Sequence, residues 1–208
     1  MAVTLKTDLP TLPGQFTQNI PCKVSRDSEK LGSVHLPRPD QLAHSSCTLP
    51  QESNADFREG CENYNSHKYT LAFPCFEKVP LSDLDYWDAQ FWLARSYYKV
   101  NNYKRAKDLF FIIPQNHDFY IESQYLLGCC YFALGSYLSA IQCLTKITST
   151  SDSPAGHLLG QCYFWQGDSS LKKGLTAVAL HFFREVPQGH LNYMRAQFNI
   201  RNIENQKI

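Results

Sequence analysis

The chain has little charge of either sign to spare: 20 Lys and Arg against 19 Asp and Glu leave a formal net charge of +1 over 208 residues. A nucleic-acid binder working through bulk charge needs a basic face, and this balance supplies none. The polybasic cluster of a membrane-surface anchor is missing too. No run approaches the roughly 18 to 20 consecutive apolar residues that span a bilayer. The opening Met-Ala-Val-Thr-Leu-Lys-Thr-Asp lacks the charged-then-apolar layout of a secretion signal. These absences point to a cytoplasmic protein, the nucleus being also open to it, with its thiols reduced, since disulfides are rare in those compartments.

Patterns that carry chemistry are equally scarce. There is no Gly-rich phosphate loop, no Ser nucleophile elbow and no paired-carboxylate pattern, so no enzyme and no cofactor are expected. Cys22, Cys47, Cys61 and Cys75 accompany His35, His44 and His67, but their spacings of 25, 14 and 14 contain no close Cys pair. Zinc sites are built on such pairs, so no metal site is expected. Cys129, Cys130, Cys143 and Cys162 fall where helices are expected and read as small buried hydrophobes. No local signature supports a catalytic pairing of a cysteine with His157 or His181. Lys104, Arg105 and Lys107 read as a solvated helix face.

The texture changes near residue 80. Residues 1–80 hold 8 of the 11 prolines, with Ser, Thr and Asn between them, and no apolar periodicity persists. A stretch of that kind buries too little apolar surface to offset its ordering entropy. The expected layout is a largely disordered, Pro-rich arm over 1–65, a short docking segment over 66–80, and a helical repeat domain over 81–208. From Leu81 onward apolar residues recur at three- and four-residue spacings. Breakers are confined to Asn101-Asn102, Pro114 to Asn116, Gly135-Ser136, Thr148 to Pro154, Gly167-Asp168 and Pro187 to Gly189. Ser153-Pro154 reads as an N-cap followed by a first-turn proline. Pieces of about 12 to 15 residues joined by short loops fold as antiparallel neighbours, giving an all-α architecture.

A repeat underlies the helical part. Leu93-Ala94-x2-Tyr97, then Tyr103-x2-Ala106-x3-Phe110, returns at one fixed offset as Leu127-Gly128-x2-Tyr131, then Tyr137-x2-Ala140-x3-Leu144. Small residues at Ala94, Gly128, Ala106 and Ala140 let paired helices approach, and the large ones fill the space between neighbours. A less regular third copy begins at Leu159-Gly160-x2-Tyr163, with Gly167 at its turn, and resumes at Ala179-x3-Phe183. The extra residues of this copy, near Asp168 to Gly174, extend a helix or form a loop. Leu191 to Asn205 reads as a closing helix, with Arg195, Arg201, Asn202 and Glu204 as its polar outer face.

The period of about 34 residues and the Leu-(Gly/Ala)-x2-Tyr and Ala-x3-Phe elements resemble the tetratricopeptide repeat. The resemblance covers residues 84–205 and implies an α-solenoid of antiparallel helix hairpins, three of them plus the closing helix. It implies that the first helices line a concave groove that holds a peptide or a partner helix. Carried over by position, the groove residues are Phe91, Arg95, Tyr98 and Lys99, then Glu122, Tyr125, Cys129 and Phe132, then His157, Gln161, Phe164 and Trp165. The Lys and Asn carboxylate clamp of the chaperone-binding members is largely missing, and an aromatic face suits an apolar extended segment or an amphipathic helix.

The function this implies is a non-enzymatic protein–protein interaction module, an adaptor or a subunit of a larger complex, with neither nucleic acid nor membrane as partner. A short three-repeat body also resembles the chaperones of type III secretion translocators. The Leu-Ala-x2-Tyr repeats resemble subunits of the anaphase-promoting complex, of which this chain would be a short form. The groove is open to a further occupant, the chain's own arm, tethered at high effective concentration.

Overall fold

The structure, a computed structural model, describes Cys47, residues 53–148 and residues 153–205. Among these residues there are nine helices and no strand. They are α1 (Ala55–Asn65), α2 (Tyr69–Glu77), α3 (Tyr86–Lys99), α4 (Tyr103–Phe111), α5 (Tyr120–Ala133), α6 (Tyr137–Leu144), α7 (Pro154–Lys172), α8 (Thr176–Arg184) and α9 (Tyr193–Asn205). Each helix packs on the next, so α1–α2, α3–α4, α5–α6 and α7–α8 form four antiparallel hairpins, with α9 laid against α8. The architecture is an all-α solenoid of helix hairpins. No helix among the described residues is long and apolar enough to cross a membrane.

One hairpin more is present than the repeat count from sequence. The expectation of an extended arm through residue 65 fails from Ala55, where α1 begins. The rest of that arm, Cys47, Ser53 and Asn54 apart, lies outside the described residues. Asn54 caps α1 by accepting hydrogen bonds from the N–H groups of Asp56 and Phe57 at 2.9 and 3.3 Å. The 66–80 segment is largely α2, which runs through Pro74. Phe57, Tyr64 and Phe76 are buried between these helices and α3, with Tyr64 edge-on to Trp92 at 4.9 Å. Each such aromatic burial contributes roughly 1.5–3 kcal/mol, which offsets the poor helix formers around it.

Every hairpin turns through a left-handed residue: His67 at φ 61°, Asn101 at φ 60°, Gly135 at φ 73° and Gly174 at φ 74°. The first three stand exactly one repeat period apart. The fourth corrects the expected turn at Gly167. That residue lies inside α7, where a Cβ would stand 2.7 Å from Phe183. The hairpin-closing contact is therefore Gly167 with Phe183, at the same separation along the chain as Gly128 with Leu144. The third signature belongs at Gly167 rather than Gly160, and the extra residues lengthen α7. Gly160 instead receives the ring of His190, 2.8 Å from its would-be Cβ. Ser153 does cap α7, accepting from the Gly156 N–H at 3.0 Å with Pro154 in the first turn.

The turns between hairpins repeat as well. Asp83 accepts a hydrogen bond from the Asp85 N–H at 3.0 Å, His117 Nδ1 from the Phe119 N–H at 3.3 Å, and His190 Nδ1 from the Asn192 N–H at 3.2 Å. Asp83 also accepts from Asn54 Nδ2 at 2.7 Å, and His117 Nε2 lies 3.1 Å from Asp88 Oδ1. Both members of the first pair shift by one repeat to give the second. Each of these turns is thus tied to the start of the first helix of the hairpin before it.

Candidate functional site

The first helices of the hairpins, α1, α3, α5 and α7, with α9 in the same position, carry an aromatic ladder. Phe57, Phe91, Tyr125, Phe164 and Phe198 occupy equivalent positions, one repeat apart once the insertion that lengthens α7 is allowed for. The first four are buried, while Phe198, on the last described helix, is 65% exposed. Phe91 stacks on Phe119 at 4.2 Å and meets Phe110 edge-on at 6.0 Å. Phe164 packs at 5.9 Å from Phe183.

The residues expected to line the groove divide by accessibility. Phe91, Arg95, Tyr98, Tyr125, Cys129, Phe132 and Phe164 are buried. Lys99, Glu122, Gln161 and Trp165 are half-buried, and His157 is exposed. Arg95 is 1% exposed and spans three hairpins. Its Nη1 donates to Glu122 Oε1 of α5 at 2.8 Å, and its guanidinium lies 4.9 Å from the Trp92 ring and 6.0 Å from that of Tyr64 in α1. Burial in this cluster pushes the Tyr64 hydroxyl up to about 12. The hydroxyls of Tyr98 and Tyr125 lie beside the Cys129 thiol, which burial pushes up to about 12. Burial also raises Cys130 and Cys162. A thiol held protonated in this way is a poor nucleophile.

The corrected register of α7 changes the third set. Phe164 keeps its groove position, Gln161 stands where Glu122 stands in α5, and Asp168 takes the place of Cys129. His157 falls in the extra first turn of α7, where its carbonyl accepts a hydrogen bond from His190 Nε2 at 3.1 Å.

One accessible part of this face among the described residues lies between α7 and α9. Phe164, Asp168, Met194, Arg195, Phe198 and Asn199 line a pocket of about 430 Å³. Met194 and Leu191 are 75% and 72% exposed. The Arg195 guanidinium lies 4.8 Å from the Phe164 ring, and Asp168 is paired with Lys172 at 2.8 Å. The outer face of α9 is therefore not polar throughout, as expected of a closing helix, but apolar along Met194 and Phe198, with Leu191 exposed in the turn just before it. The sequence signal for this site was the spacing, since Phe198 follows Phe164 by one repeat. Arg201 occupies the small-residue place held by Gly60, Ala94, Gly128 and Gly167, which removes the close approach a hairpin partner needs.

Two further sequence positions acquire a role from the extra hairpin. Cys61 and Asn65 stand one repeat before Arg95 and Lys99. The expectation that all thiols are reduced is corrected here, because Cys61 is joined to Cys47 in a disulfide. Cys75, Cys129, Cys130, Cys143 and Cys162 carry free, buried thiols. No group of three or more His, Cys, Asp and Glu side chains among the described residues is placed to hold a metal ion.

Comparison with known proteins agrees with the repeat. Residues 88–110 and 121–153 each match a tetratricopeptide repeat family model. No curated protein matches the chain. The matched segments fall on the regular hairpins α3–α4 and α5–α6, and these two hairpins are tetratricopeptide repeats.

Proposed function

We propose that the chain is a non-enzymatic interaction module, an adaptor or a fixed subunit of a larger assembly, that holds a partner's apolar segment in the pocket between α7 and α9. The fold supports the broad class, since tetratricopeptide repeats serve generally as protein-binding scaffolds. The observation that carries the finer reading is the exposure of Met194 and Phe198 beside Arg195 over one pocket. Exposed apolar side chains gathered at a concave site mark an interaction surface more often than scattered ones do. The partner segment this suits is an amphipathic helix or extended peptide with an aliphatic or aromatic anchor. An acidic residue beside the anchor pairs with Arg195, which brings the charge complementarity that sets specificity and on-rate.

The test is co-precipitation with the intact chain and with a Met194→Ser, Phe198→Ser variant shown by circular dichroism to be folded. A partner whose bound segment combines an apolar anchor with a carboxylate, captured by the intact chain and lost by the variant, supports the reading. Arg195→Glu should weaken the same capture and invert its salt dependence. Equal capture by all three proteins moves binding to another surface.

A further inference from the structure

The first hairpin already holds a piece of chain on its groove side. Asn65 grips the main chain of Cys47 with both ends of its carboxamide. The Cys47 N–H donates to Asn65 Oδ1 at 3.0 Å, and Asn65 Nδ2 donates to the Cys47 carbonyl at 3.1 Å. The sulfurs of Cys47 and Cys61 are bonded, with their Cα atoms 5.3 Å apart. Cys61 and Asn65 occupy, one repeat earlier, the positions of Arg95 and Lys99, which the family pattern assigns to the groove. Residue 47 thus takes the place of a bound peptide. A carboxamide fork of this kind satisfies the N–H and C=O of one residue whatever its side chain, so it reads an extended main chain rather than a sequence.

We propose that the first hairpin is a thiol-gated peptide subsite. Cys47 is its resident occupant, and reduction of the bond to Cys61 frees the Cys61 thiol and the Asn65 carboxamide for a partner's extended segment. The reductant is a thiol or dithiol. Two RSH molecules give one RS–SR, the bond between the two Sγ atoms breaks, and the two protons end on the sulfurs of Cys47 and Cys61. A glutathione-reduced compartment holds the gate open, and an oxidising one closes it. Both sulfurs are buried, Cys47 at 4% and Cys61 at 0% exposure, so attack follows a local opening at Cys47 rather than direct access. The inference rests on reading the first-helix face as the partner-binding one. It concerns α1 rather than the α7–α9 pocket, so either can fail without the other.

Two measurements on the full chain test it. The first is iodoacetamide labelling of the air-oxidised protein after denaturation, mapped by mass spectrometry. Cys47 and Cys61 are expected to stay unlabelled, and labelling of both overturns the proposal. The second uses the Cys47→Ser chain in a glutathione redox buffer with a peptide of residues 43–51, Ala-His-Ser-Ser-Cys-Thr-Leu-Pro-Gln. Cys61 is expected to form a mixed disulfide with the peptide about tenfold more favourably than in the same chain carrying Asn65→Ala, the effect of losing two hydrogen bonds. The adduct with 2-mercaptoethanol, which has no main chain to grip, is expected to be equal in the two. Asn65→Asp, which keeps the acceptor and loses the donor, is expected to fall between them and stands in should Asn65→Ala not fold. Peptide capture that ignores Asn65, or no peptide adduct at Cys61, overturns the proposal.

Discussion

A Cβ built on Gly60 would stand 2.6 Å from Phe76 Cε1. The same relation holds two repeats later, where a Cβ on Gly128 would stand 2.8 Å from Leu144 Cδ2. Both larger partners are fully buried and have little room to retreat. Gly60→Ala and Gly128→Leu are each expected to destabilise the fold, by about 1–3 kcal/mol for the overpacking. Thermal unfolding checks both, and an unchanged Tm for Gly60→Ala would remove α1–α2 from the repeat.

Removal of residues 1–65 takes away α1 and uncovers Phe76 and Trp92, which it packs against. Losing the burial of Phe57 and Tyr64 alone costs roughly 3–6 kcal/mol. At about 2–4 °C per kcal/mol for a chain of this size, the Tm should fall by roughly 10 °C, with a loss of ellipticity beyond the deleted helix. The arm pictured from the sequence would have allowed this deletion with helicity nearly intact.

The sequence made the regular part of the fold plain and obscured both of its ends. The hairpins α3–α4 and α5–α6 repeat Leu-small-x2-Tyr and Ala-x3-large at one period, and their turns carry Asn101 and Gly135. The first hairpin has Glu59-Gly60-x2-Asn63 where α3 and α5 have Leu-small-x2-Tyr, a histidine at its turn and Pro74 inside α2. Its marks survive only at the packing positions, where Phe57, Gly60, Tyr69, Ala72 and Phe76 each precede a counterpart by one repeat. In α7 two glycines compete for the small-residue place, and local pattern favours Gly160. The position of Phe183 and the left-handed turn at Gly174 decide for Gly167. The groove list was drawn by family position, which says which way a residue faces but not how closely the next helix covers it. Phe91 and Phe198 share a position and differ in exposure from 0% to 65%.

Arg95 and Glu122 join α3 to α5 with one donor almost wholly removed from water. Breaking such a pair from one side typically costs about 3–5 kcal/mol, because the remaining charge is left buried. Arg95→Met is therefore expected to cost more than Arg95→Met combined with Glu122→Leu. A double-mutant cycle in urea measures this, and additive costs would show that the two side chains do not depend on each other.

His190 is held neutral by its burial. Its Nδ1 accepts from the Asn192 N–H and its Nε2–H donates to the His157 carbonyl. Burial pulls its pKa below the ordinary 6.5, outweighing the hydrogen bond to the His157 carbonyl, which favours the protonated ring, while the nearby His157 ring lowers it further. The unfolded chain then binds the proton more readily than the folded one. Stability from this residue is complete above about pH 6.5 and falls as the pH drops towards the folded value, where the loss levels off. Comparison of Tm between about pH 7.5 and pH 5.5 should show a smaller fall in His190→Gln than in the intact chain. An equal fall in both would place the titration elsewhere.

The claim that the chain works through the pocket between α7 and α9 is tested most directly by site-specific photo-crosslinking in the source cell. A photoreactive phenylalanine analogue is placed at position 198, and separately at Leu138, which is exposed on the second helix of its hairpin. Adducts from position 198 should map to one partner segment that pairs an apolar anchor with a carboxylate, and they should be absent from position 138. The same partner joined only at position 138, or no adduct at 198, would contradict the account.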